Sequence, residues 1–264
     1  MSNLLLPLAL TLLAGLSTGI GGGIALIAGH TNRTFLSVSL GFSAGVMIYV
    51  SMVELLDTAQ AALGAHLGAK PGAWATAGCF FGGMLLIALI DWLIPSEENP
   101  HEPKALEGAG QAGQGNLARM GMLTALAIGV HNFPEGMATF FSAMQEPNVA
   151  VPIVAAIAMH NIPEGIAVAV PLYQATRSRQ RALGLCLLSG LSEPVGALAG
   201  WLLLAPFLNG AVFGAVFGMV AGIMVFISFD ELLPAAREYG HHHLSIYGLI
   251  SGMVVMAVSL LLFE

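Results

Sequence analysis

Two hexapeptides carry the residues that could do chemistry: His131-Asn132-Phe133-Pro134-Glu135-Gly136 and His160-Asn161-Ile162-Pro163-Glu164-Gly165. In each, the His and the Glu stand four apart, so one helical face presents an imidazole and a carboxylate together. The Asn, three before the Glu, adds an amide oxygen from the neighbouring edge. Imidazole nitrogen mixed with carboxylate and amide oxygen suits zinc and other first-row divalent ions, and matches calcium or monovalent ions poorly. Neither copy contains Cys, which argues against copper(I). Because carboxylates can bridge, the donors suffice for two adjacent metals. A third acid, Glu193, sits in Ser189-Gly190-Leu191-Ser192-Glu193-Pro194, beside another proline. One such motif alone could be structural, its His bonding a carbonyl and its Glu protonated. Two copies and a third acid favour metal.

The elements that must position these residues are membrane helices. Hydrophobic residues make up 56% of the 264 and charged residues 9%, with a mean hydropathy of +0.82. A soluble domain carries roughly 25% charged residues. Eight apolar runs, near 5–28, 36–62, 73–94, 119–144, 149–173, 182–208, 210–236 and 244–263, are each long enough to cross a hydrocarbon core of about 30 Å. Their continuous apolar character excludes a β-barrel. The fold expected is an all-α integral membrane protein of eight transmembrane helices. It forms one transporter domain over 1–264, with a single long connection at 95–118. That connection is rich in Gly, Pro, Gln and Glu and reads as a mobile cytoplasmic loop. No basic n-region precedes the first run, so it reads as a retained helix. The net charge of −7 and the lack of a basic patch give no reason to expect a nucleic-acid partner; the lipid bilayer is the expected surroundings.

All eight Lys and Arg fall outside the span interiors, whereas Glu135, Glu164 and Glu193 lie near the centres of spans 4, 5 and 6. A lone charged acid at mid-bilayer costs on the order of 3 kcal/mol. Three acids with no basic partner therefore call for protons or a cation. Pro134 and Pro163 each remove a helix hydrogen bond, freeing the carbonyls of Val130 and Met159, and Gly136 and Gly165 permit close helix approach. Lys and Arg placement gives the orientation: Arg33, Lys104, Arg119, Arg177, Arg179, Arg181 and Arg237 share one side, and Lys70 alone the other. The crowded side is cytoplasmic, with both termini outside.

Two internal repeats order the chain. GFSAGVMIYVSMVELLDTA from Gly41 matches GMVAGIMVFISFDELLPAA from Gly218 at nine of nineteen positions, among them Gly45/Gly222, Met47/Met224, Ser51/Ser228 and Glu54/Glu231. Five spans apart, the two copies run in opposite directions, the pattern of an inverted repeat with spans 1–3 and 6–8 as halves and spans 4 and 5 between. The middle spans repeat as AIGVHNFPEGMA and AIAMHNIPEGIA. Met47 is a buried packing residue by default and a thioether donor as the alternative. Glu54 and Asp57 should face the outer end of span 2, and Asp230 and Glu231 the inner end of span 7, as mouth and exit of an ion path. His241, His242 and His243, with His101, could collect exiting metal.

The paired motifs resemble those of the ZIP (Zrt/Irt-like) divalent metal transporters, and the resemblance runs over nearly the whole chain. It implies uptake of zinc, with iron, manganese, cobalt and cadmium as further candidates, across the inner membrane into the cytoplasm. It also implies a 3+2+3 arrangement of helices, a binuclear centre and often a homodimer. Carried over residue by residue, one metal is held by His131, Glu135, His160 and Glu164. The second takes Asn132, Glu135, Asn161, Glu164 and Glu193, the two motif glutamates bridging, and Met47 matches a position where some relatives supply a thioether. The metal is cargo in this reading, and no cofactor is expected. Where many relatives have a His-rich loop between spans 3 and 4, this chain has only His101. The competing reading is an intramembrane zinc-dependent hydrolase with a metal-bound water. Such enzymes usually show His-Glu-x-x-His, and the His-Glu pair here, His101-Glu102, lies in a loop without the second His.

Overall fold

Backbone groups in lipid must be paired within their own segment, and apolar runs of this length meet that demand as helices. The computed structural model describes residues 4–28, 33–93, 114–145, 147–239 and 242–263, and among these every regular element is helical. We number eight helices. They are α1, Leu5–Ala28; α2, 33–67; α3, Ala69–Leu93; α4, Gln114–Gln145; α5, Pro147–Thr176; α6, 179–204; α7, 210–239; and α8, His242–Phe263. Among the described residues, seven of them are long and apolar enough to cross a membrane. The remaining expected span falls on α4, whose 32 residues reach about 48 Å at 1.5 Å each. Helix α4 begins at Gln114, inside the stretch expected to be loop. Residues 94–113, with His101 and Lys104, lie outside the described residues.

Local chemistry sets the ends and breaks. Helices α2 and α3 are joined by one residue, Gly68, at φ 91°, a conformation that favours glycine. Helix α7 starts where Asn209 caps it, its side-chain oxygen accepting from the N–H groups of Ala211 and Val212 at 3.0 Å each. Helix α6 is interrupted at Leu191, between Arg179–Gly190 and Ser192–Leu204. Pro194 explains the break, since it has no N–H for the carbonyl of Gly190. By contrast, Pro134 and Pro163 lie within α4 and α5, which are helical on both sides of them.

The helices pack as two groups: α1, α4, α5 and α6 in one, α2, α3, α7 and α8 in the other, touching where α2 meets α5 and α4 meets α7. Small residues make the crossings close. A Cβ on Gly45 would collide with the carbonyl of Leu249 on α8, and one on Gly222 with that of Phe80 on α3. Gly45 and Gly222 are matched positions of the α2 and α7 repeat. The same two helices each contain a π-helical turn, Ser51–Leu55 in α2 and Ser228–Leu232 in α7, again at matched positions. Each turn admits an extra residue and re-aims the helix beyond it.

Candidate metal centre

The acids expected at mid-bilayer come together in the helix interior. Asn132 and Glu135 on α4, His160, Asn161 and Glu164 on α5, and Glu193 on α6 are all fully buried. Close packing at the motif glycines brings them there: an added Cβ on Gly136 would strike the carbonyl of Glu193, and one on Gly165 that of Thr18 on α1. Glycine is required at both places because the backbones touch.

The contacts among these groups run between helices. Nε2 of His160 and Oε1 of Glu135 share a hydrogen bond at 3.2 Å, joining α5 to α4. Nδ2 of Asn161 donates both to Oε1 of Glu193 and to the carbonyl of Ala14, at 3.1 Å for the latter, joining α5 to α6 and α1. What the contacts leave over is more telling. Among the described residues, Asn132 Oδ1, Glu135 Oε2, Asn161 Oδ1 and Glu193 Oε2 have no hydrogen-bond partner. Buried acceptors are rarely left so, each costing about 1–3 kcal/mol. These are four acceptor oxygens from three helices, and no Lys or Arg is among the buried residues described. The recorded contacts are pairwise: among the described residues no three His, Cys, Asp or Glu stand together as a finished cage. The side chain of His131 lies outside those described.

One residue that the sequence reading passed over touches the cluster. Ser43 on α2 donates from Oγ to Oε1 of Glu164 at 3.4 Å and to the carbonyl of His160 at 3.3 Å. It is thus a direct link from the second helix group to the first. The carbonyl that Ser43 engages is that of His160, the neighbour of Met159, whose own carbonyl Pro163 deprives of a helix N–H. A readable signal existed, since Ser43 stands four before Met47 and so one turn away on the same face. Met47 itself is fully buried. Glu54 and Glu231 are half-buried and occupy the same place in the two π turns; Asp57, Asp230 and His243 are exposed. His241 and the side chain of His242 lie outside the described residues. Cys186 is buried, its thiol against the carbonyl of Gly165 at 3.4 Å.

Comparison with known proteins agrees with this chemistry. Residues 94–260 match the family model described as ZIP Zinc transporter. The chain is 64% identical over 254 residues to the "Zinc transporter ZupT" of Streptococcus mutans, covering 96% of each. It is 58% identical to the protein of that name from Chlorobium luteolum, covering 99% of each. For the one from Clostridium perfringens the identity is 55%, over 100% of this chain and 98% of the relative.

Proposed function

This chain belongs to the ZIP zinc transporter family, and from that premise we propose that it takes up zinc through the buried His/Asn/Glu cluster. Transport rather than catalysis is what its relatives are named for, and nothing in them favours the hydrolase alternative. The observation that carries the assignment to this cluster is the set of four unpartnered acceptor oxygens beside carboxylates from α4, α5 and α6.

In this reading Glu135 and Glu164 bridge two ions. His131 and His160 complete the first, and Asn132, Asn161 and Glu193 the second, with Met47 as an additional thioether donor. The chemistry explains why the ion is bound but not trapped. Imidazole and carboxylate give zinc strong donors, while the amides are neutral and weak and can return to hydrogen bonds such as Asn161 to Glu193 when the ion leaves. Harder ions, iron and manganese among them, would use the same oxygens. The proposed architecture is a 3+2+3 inverted repeat in the inner membrane, both termini periplasmic, assembled as a homodimer. Two supports for the repeat are the paired π turns and the paired crossings of α2 on α8 and α7 on α3. Glu54 and Asp57 then lie at the outer mouth, and Asp230, Glu231 and the His241–His243 stretch at the cytoplasmic exit.

Purified protein in liposomes carrying a zinc-sensitive dye separates the readings. Dye signal inside the vesicles is the expected result. Zinc binding without internal signal would make the protein a receptor, and cleavage of a membrane substrate would restore the hydrolase.

A further inference from the structure

Helices α1 and α6 carry a third internal repeat. Leu12-Leu13-Ala14-Gly15-Leu16-Ser17-Thr18 corresponds to Leu187-Leu188-Ser189-Gly190-Leu191-Ser192-Glu193, with Gly21 and Gly196 in step three residues later. The local structure repeats with it. Ser17 donates to the carbonyl of Ala14 and Ser192 to that of Ser189, each at 2.5 Å. The two copies cross at Gly15 and Gly190, where a Cβ on either would strike the carbonyl of the other. Gly21 lies against the carbonyl of Ile162, and Gly196 against that of Phe133, the matching residue of the other hexapeptide. Gly136 meets the carbonyl of Glu193 as Gly165 meets that of Thr18. Thr18 therefore occupies on α1 the place that Glu193 occupies on α6.

Glu193 reaches Asn161. By the same correspondence, the partner of Thr18 is Asn132. Thr18 and Asn132 are fully buried, and among the described residues the Oγ1 of Thr18 and both the amide oxygen and nitrogen of Asn132 have no partner. The threonine hydroxyl is two atoms nearer its backbone than a glutamate carboxylate, so it reaches less far towards Asn132 than Glu193 reaches towards Asn161. A buried water needs two to four polar partners. Thr18 Oγ1, the Asn132 amide and the unpartnered Oε2 of Glu135 are of that kind and number.

We propose that Thr18 and Asn132 together seat a water molecule that completes the zinc coordination on the α1 side, the neutral counterpart of the charged Glu193–Asn161 half on α6. The centre is then built on a two-fold plan with one half charged and one half hydrated. Zinc is drawn towards α6 and exchanges its water ligand on the side of α1. This rests on the reading that the motif residues hold zinc.

The test is zinc binding to the purified full-length protein, followed by competition with a zinc-sensitive dye. Thr18→Val keeps the shape and deletes the hydroxyl; it should weaken zinc binding about tenfold or more, in the range found when a residue supporting a metal ligand is lost. Thr18→Ser should stay within about threefold of the native chain, on the same basis. The deciding variant exchanges the two halves. Glu193→Thr should lose tight binding of the second ion, and adding Thr18→Glu should recover about tenfold at that position, because the acid returns to the equivalent place. A purely structural threonine gives no such recovery. Native affinity in Thr18→Val, or a monodisperse double variant no better than Glu193→Thr, overturns the proposal. If Thr18→Val does not fold, Thr18→Ser and the exchange decide. Native zinc affinity in Glu164→Ala would instead overturn the underlying reading of the site.

Discussion

Each acid in the cluster has a distinct neighbour, and so each should fail differently when altered. Glu193 bonds only to Asn161 among the recorded contacts and is assigned to one ion of two. Glu193→Ala should therefore empty that ion's position and spare the other; anomalous scattering from zinc-soaked crystals checks this, and equal loss of both ions contradicts it. Ser43 donates to Glu164 from the other helix group. Ser43→Ala should weaken zinc binding roughly tenfold, the low end for a residue that orients a ligand, with stability nearly unchanged. The buried polar cluster was legible from residue type and spacing, because a His and a Glu four apart share a helix face whatever the tertiary fold. Ser43 and Thr18 were not singled out, because a hydroxyl in a membrane helix more often bonds its own helix, as Thr11 does to Pro7 and Ser228 to Met224.

At the scale of the element, glycine-mediated crossings carry the helices that carry the site. A side chain on Gly222 would run into the backbone of Phe80 and Met84, whereas nothing stands within 4 Å of a Cβ on Gly23. Gly222→Leu should cost about 3 kcal/mol through overpacking, and Gly23→Ala should be close to neutral, since alanine favours a helix. Thermal unfolding of the two variants in detergent compares them directly. Near-equal midpoints would show that α3 and α7 are not held by that contact. The all-helical build and the approximate helix ends followed from hydropathy because lipid permits so few alternatives. The two π turns did not, since an extra residue in a helical turn leaves no mark on an apolar pattern. The break at Leu191 was half legible, announced by Pro194 yet placed one turn earlier by the carbonyl that the proline deprives.

At the scale of the molecule, the account joins a family, a buried cluster and a two-fold plan of repeats into a path for zinc. The repeats were visible as sequence identity, but which helices pack together was not. Grouping α1 with α4, α5 and α6 depends on crossings between segments more than a hundred residues apart. The proposed orientation makes its own prediction: a cysteine added at either terminus should react with an impermeant thiol reagent from the periplasmic side, and one placed near Arg179 should not. Reaction at Arg179 alone would invert the topology. The central claim is that zinc crosses through the paired hexapeptides, and zinc influx into dye-loaded proteoliposomes tests it most directly. Native protein should fill the vesicles, while Glu164→Ala, folded and inserted to the same extent, should leave them at the background of empty liposomes. Influx at the native rate through Glu164→Ala would contradict the account, because no path through the shared glutamate would then be needed.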